Sequence, residues 1–250
     1  MISGAAEQGL LYRTVAGREA DFSGRRLAEW YNLNLLDRVP KVNGAVPLHP
    51  DHYNLVERRL YYESGAKYGP SLLDFLSVAW VSSDQNSLDW VKRKGFLPML
   101  TAGQRPVFAS PDKALNEISA DTFAPQKVVY LPEGAEHLVT ATNSASCSLS
   151  NILFSPERVE AETDCSTPSM VVVSQTYYHL WQASVDGNPV PLFRANVAFQ
   201  ALEVAAGRHR IEIIYKDYNL SLGALISAVT FGVCVLLWIK AGKSDSGFKQ

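Results

Sequence analysis

The sequence predicts an α+β chain: an irregular α/β first part, then an antiparallel β-sandwich, then one C-terminal transmembrane helix. Three observations predict it. Before about residue 125 the signals are mixed, with segments of roughly helical apolar spacing, between about 126 and 218 apolar residues recur every second residue, and from Leu220 to Ile239 twenty consecutive residues carry no charge. The 250 residues include 23 Lys+Arg against 25 Asp+Glu, a net charge of -2, and 47% are hydrophobic. That balance excludes a disordered chain and a basic nucleic-acid binder.

Within residues 1–125, Gly24 to Leu36 and His52 to Tyr62 read as helical or irregular segments. Ser71 to Val81 begins like a short helix and ends like a strand. Ser110-Pro111 opens a helix through Ser119, because serine caps a helix start, proline fits its first turn and Asp112 favours its positive end.

Residues 126–218 form the expected sandwich domain. The candidate strands are Val128 to Leu131, His137 to Thr142, Ser148 to Phe154, Arg158 to Thr163, Ser169 to Gln175, Trp181 to Val185, Val190 to Arg194, Ala198 to Val204 and His209 to Lys216. Short strands with one apolar face need a second sheet to cover it. Asp186-Gly187-Asn188-Pro189 and Ala206-Gly207-Arg208 read as tight turns between neighbouring strands.

Residues 220–239 are read as the transmembrane helix. Twenty helical residues rise about 30 Å, the thickness of a bilayer's hydrocarbon core. Ser221, Ser227 and Thr230 can return their hydroxyls to the helix's own carbonyls, and Trp238, Tyr215 and Tyr218 stand where interfacial aromatics belong. Ala224, Ala228 and Gly232 make a smooth strip on which another helix could pack, although small residues are also common in membrane helices. Residues 240–250 are a short basic tail. The last strand runs almost directly into the helix, which predicts a sandwich close to the bilayer surface.

Charge does not orient the span: Arg208, Arg210 and Lys216 precede it, and Lys240, Lys243 and Lys249 follow it. Met1 to Leu11 lacks the basic and apolar regions of a secretory signal. Read as a complete protein, the chain would be tail-anchored with a cytoplasmic body. Read as the end of a longer polytopic protein, it would hold that body outside.

Of three cysteines, Cys234 lies in the apolar run. Cys147 and Cys165 flank a predicted strand pair and are candidates for a disulfide, two unlinked thiols being the alternative. An observed bond would favour an oxidising compartment.

The sequence shows no phosphate loop, zinc spacing, nucleophile elbow or carboxylate pair suited to acid–base catalysis, so no catalytic residue, metal or cofactor is expected. His49 and His52 lack an obvious third ligand and read as a Pro-rich loop. His137, His179 and His209 carry no partner signal. Arg25-Arg26 and Lys92-Arg93-Lys94 read as solvated surface. Tyr177-Tyr178-His179-Leu180-Trp181 is the most suggestive group. With Arg194 and Asn196, which strand alternation would put on one face, it could form a carbohydrate or lipid-headgroup platform. Core packing is the competing use, above all for Trp181.

The same stretch, Met170 to Tyr215, resembles the C-terminal signature of the YfhO-like bacterial membrane proteins. The matching residues are Tyr177-Tyr178, Trp181, Val185-Asp186-Gly187, Arg194-Ala195-Asn196, Ala206-Gly207, His209 and Tyr215. Leu72 to Val78 and Asn43 to Tyr53 are weaker matches, and Trp80 stands where the family usually has tyrosine. The resemblance implies the C-terminal extracytoplasmic region and last helix of a polytopic, GT-C-type glycosyltransferase-like protein. Such a protein takes sugar from a polyprenyl-phosphate donor for a cell-envelope polymer. The family's catalytic acids lie in an N-terminal multi-helix part that this sequence does not contain, so the region would be non-catalytic by itself. The resemblance also implies a bacterial cell membrane, an external body, a cytoplasmic tail at Lys240 to Gln250, and as partners polytopic helices of the same or an upstream polypeptide and an envelope glycan. A membrane-anchored glycan- or protein-binding module is the alternative.

Overall fold

The computed structural model describes residues 1–12, 17–42, 44, 50–62 and 68–245. Two units are formed, Met1–Ile214 and Tyr215–Gln250. The first is mixed α and β, and the second carries the apolar helix.

Five helices open the first unit: α1 (Gly4–Tyr12), α2 (Arg18–Leu27), α3 (Asn34–Asp37), α4 (Asp51–Tyr61) and α5 (Pro70–Phe75). The segment from Gly24 to Leu36, expected to be helical or irregular, is divided between α2, α3 and the turn that joins them. Ser71 to Val81 behaves as its mixed pattern predicts, α5 giving way to the antiparallel hairpin of β1 (Trp80–Ser82) and β2 (Trp90–Lys92). Then follow β3 (Leu100–Ala109), α6 (Pro111–Ser119) and β4 (Val128–Pro132). Ser110 takes the extended conformation of a helix cap, and its carbonyl accepts from Ala114 N at 2.9 Å, but its side chain makes no capping bond.

The remaining strands are β5 (Cys147–Phe154), β6 (Arg158–Cys165), β7 (Ser169–Val173), β8 (Trp181–Val185), β9 (Asn188–Val190), β10 (Phe193–Ala195), β11 (Phe199–Val204) and β12 (Gly207–Tyr215). With β3 and β4 they make two five-stranded sheets, β10-β11-β7-β3-β4 and β5-β6-β12-β8-β9, while β1 and β2 pair only with each other. Strand β3, from before residue 125, pairs with β7 in the middle of the first sheet, so the expected boundary at 125 is bridged by a sheet. Strands β3 and β4 are parallel, because α6 carries the chain back before β4 begins.

Two predicted strands differ in the structure. His137 to Thr142 is a short 3-10 turn, Glu136–Leu138, followed by a loop. Two of its backbone donors and one hydroxyl go to a carboxylate: Glu203 Oε1 accepts from Thr140 N at 2.8 Å, Thr140 Oγ1 at 2.8 Å and Ala141 N at 2.5 Å. Val190 to Arg194 is broken around Pro191 into β9 and β10, which belong to different sheets.

Alternation along β7 shows how the layers stack. Met170 and Val172 face a core completed by Val56 and Leu60 of α4, Leu72 and Phe75 of α5, and Leu115 and Ile118 of α6. Val171 and Val173 point the other way and are also buried. The second sheet buries Val159 and Ala161 of β6, Ile211 and Ile213 of β12, and Trp181 and Ala183 of β8. Its outer face carries charge in rows, with Arg158 and Arg210 bonded to Glu160, and Arg208 bonded to Glu162. The result is helices on one face of a two-sheet sandwich.

In the second unit, α7 runs from Tyr218 to Asp245. Asp217 Oδ1 accepts from Asn219 N at 2.9 Å and Leu220 N at 3.1 Å, which caps the helix start. Tyr218–Trp238 has a mean hydropathy of 2.3, so it is long and apolar enough to cross a membrane. Thr230 Oγ1 donates to Ile226 O at 2.9 Å, as an apolar setting requires of a hydroxyl.

Candidate binding site

The aromatic group lies on the turn between β7 and β8. Four hydrogen bonds pin it: Ser174 N to Met99 O at 2.8 Å, Tyr177 N to Ala198 O at 2.7 Å, Gln200 Nε2 to Thr176 O at 3.1 Å, and Trp181 N to Tyr178 O at 3.1 Å. Trp181 is buried at the start of β8, so it serves the core. Tyr177 is half-buried. Tyr178 is 42% exposed, with its ring centroid 4.2 Å from that of His179.

Arg194 stands on β10 in register with Gln200 of β11. Gln200 therefore links it to the turn, since the Gln200 amide donates to Thr176. The Arg194 guanidinium donates to Nε2 of His52, which lies at the start of α4. Partial burial lowers the His52 pKa, and the positive charge of Arg194 lowers it further. Both effects favour the neutral, accepting ring.

Asn196 is elsewhere in role. It is 1% exposed, and its φ of +46° ends the alternation that would have set it beside Arg194. Its Oδ1 accepts from Tyr130 N at 2.9 Å, and its own N donates to Tyr130 O at 2.7 Å. Tyr130 lies on β4 and Asn196 just past β10, the two edge strands of one sheet, so the sheet curls until its edges meet. Of the five candidate contact residues, Arg194 and the Tyr177-Tyr178 turn come together through Gln200. Trp181 and Asn196 are used inside the fold.

Cys147 and Cys165 are direct cross-strand partners with Cα atoms 4.2 Å apart, and they form a disulfide. Ser169 Oγ of β7 lies 3.1 Å from Cys147 Sγ, so the bond sits where the two sheets meet. Among the described residues no three metal-ligating side chains cluster. His49, and most of the weak match from Asn43 to Tyr53, lie outside the described residues.

Sequence reasoning missed two polar contacts. His209 Nδ1 bonds Asp186 Oδ2 at 2.7 Å, and Asp186 Oδ1 accepts from Arg210 N at 2.8 Å, tying the β8–β9 turn to β12. The hydrogen bond to Asp186 raises the His209 pKa, and the same bond lowers that of Asp186. Arg93 is no solvated surface residue: it pairs with Asp74 at 2.8 Å and donates to Val78 O and Pro70 O at 3.0 Å, fastening the β1–β2 hairpin to α5. Both partners are distant in sequence, so no local spacing announces them.

No family model, curated protein or solved structure matches the chain.

Proposed function

We propose that the chain acts as the extracytoplasmic body and last membrane helix of a YfhO-like integral membrane protein. It would serve glycosylation of cell-envelope polymers from a polyprenyl-phosphate-sugar donor without catalysing the transfer itself. The observation that carries this reading is the continuity from Ser169 to Trp238. The strands that hold the motif residues end at Tyr215, and a helix long enough to cross a bilayer begins at Tyr218. The Cys147–Cys165 disulfide supports an oxidising compartment for the body. The body would cover a catalytic membrane bundle and position the acceptor glycan. The test is glycosyl transfer from a polyprenyl-phosphate sugar by the purified chain, alone and with a multi-helix membrane partner. Transfer is expected only with the partner, and transfer by the chain alone overturns the reading.

A second reading, a membrane-anchored glycan- or protein-binding module, is favoured by the exposure of Tyr178 beside His179 on a pinned turn. Glycan-array binding that is lost on Tyr178→Ala or Arg194→Ala, with no multi-helix partner needed, would select it over the first.

A further inference from the structure

The segment after α1 leaves apolar surface uncovered. Phe22 and Leu27 of α2 are 60% and 66% exposed, and Leu35 and Leu36 of α3 are 69% and 68% exposed. Tyr31 and Val39 are each 46% exposed. A single exposed leucine is ordinary, but six large apolar side chains within 18 residues are not. They belong to one tied structure. Arg26 pairs with Asp37 at 2.5 Å, holding α3 to the end of α2, and Asn34 Nδ2 donates to Val39 O at 2.8 Å.

Cations are interleaved with this surface. Arg25 bonds Asp21 at 2.8 Å and lies over the Trp30 ring, 4.0 Å from its centroid, while Arg26 takes Asp37 and Glu29. Lys41 Nζ donates to the carbonyls of Glu29 and Tyr31. Arg18 and Arg38 are exposed and have no carboxylate partner among the described residues. Asp21, Glu29 and Asp37 are engaged by arginines, while Glu19 beside Arg18 pairs with no cation among the described residues, so two exposed guanidinium groups stand against one such carboxylate.

We propose that the α2–α3 surface is an interfacial lipid-binding element, set in the headgroup layer of a bilayer that contains anionic lipid. Leu, Phe and Tyr side chains enter the boundary between headgroups and acyl chains, and Arg18 and Arg38 pair with lipid phosphates. Two features favour lipid over a protein partner. Arg18 and Arg38, which outnumber the unpaired Glu19, complement phosphate, and α7 tethers the chain to a bilayer, which keeps lipid at high effective concentration. The proposal rests on α7 crossing a membrane.

The test uses the full chain with Cys234→Ala, reconstituted into phosphatidylcholine liposomes with or without phosphatidylglycerol. A polarity-sensitive fluorophore is attached to Leu36→Cys or, as a control on the exposed side of β8, to Gln182→Cys. Acyl-brominated lipids should quench the label at 36, more strongly with phosphatidylglycerol, and leave the label at 182 unquenched. Arg18→Gln with Arg38→Gln should abolish the dependence on phosphatidylglycerol. A label at 36 as aqueous as that at 182 overturns the proposal. So does shielding of 36 only when a multi-helix protein partner is added, which makes the surface a protein contact. Co-flotation with liposomes reads α7 insertion separately: a chain that floats with an aqueous label at 36 loses this inference alone.

Discussion

Asn196 and Tyr130 hold each other in both directions, Asn196 N donating to Tyr130 O at 2.7 Å and Tyr130 N donating to Asn196 Oδ1 at 2.9 Å. These bonds close the edges of a five-stranded sheet, and they explain an asparagine at φ +46°, a conformation asparagine tolerates better than most residues. Asn196→Ala strands the Tyr130 N–H at about 1–3 kcal/mol. It also places alanine in the left-handed region, at roughly 1–2 kcal/mol more. Asn196→Gly should lose the first contribution and spare the second. Chemical unfolding of the purified chain should rank wild type above Asn196→Gly above Asn196→Ala, and equal stability of all three would contradict the role.

The disulfide joins adjacent strands at the corner where the two sheets meet. Closing the loop between Cys147 and Cys165 is worth about 3 kcal/mol through the unfolded state. Cys147→Ser with Cys165→Ser should lower the unfolding midpoint markedly, and reductant should then have no further effect. Wild type should move to the same midpoint on reduction.

The Asp186–His209 bond predicts a pH window. The folded His209 pKa lies above its ordinary 6.5, so its contribution is complete below 6.5 and fades as pH rises through the raised value. The folded Asp186 pKa lies below its ordinary 3.8, so its contribution is complete above 3.8 and fades as pH falls through the lowered value. The pair is therefore strongest between pH 3.8 and 6.5. Both ring nitrogens of His209 face acceptors, Asp186 Oδ2 and Ala206 O, which only the imidazolium can satisfy together. Asp186→Asn should lower the His209 pKa when it is followed by NMR, and an unchanged titration would remove the pair from the account.

A charge at the middle of α7 should block insertion. Val229 is exposed within the apolar window, and arginine there disfavours the membrane by about 2.5–3.5 kcal/mol. Val229→Arg should move the chain from the carbonate-resistant membrane fraction to the soluble or aggregated one. Arginine at exposed Gln182, on β8, should not.

What the sequence made legible follows from physics that acts locally. The uncharged run from Leu220 to Ile239 announces α7 because nothing but a lipid or core environment suits it. Alternation announces β6 and β12, since each has one face in a core, whereas β7 and β11 are buried on both faces and stand out as apolar runs. Strand β3 was hidden by its own features: Gly103, at φ +101°, sits at a register shift against β7, and Pro106 lacks a donor. A side chain at Gly103 would meet Ala145 O at 2.5 Å, so the bulge makes room for the loop that leads to Cys147. The site was legible in part. The Tyr177–Trp181 cluster can be read from the chain, but the separation of Arg194 from Asn196 depends on two positive φ values, at Asn196 and Val197, and on Tyr130, 66 residues away.

The proposed function requires the body to face away from the cytoplasm, and protease accessibility tests this most directly. In intact spheroplasts of a bacterial host expressing the full chain, with an epitope after Gln250, external protease should degrade the body and leave a protected fragment containing α7 and the epitope. A body that stays intact until the membrane is permeabilised, with the epitope digested from outside, would contradict the account.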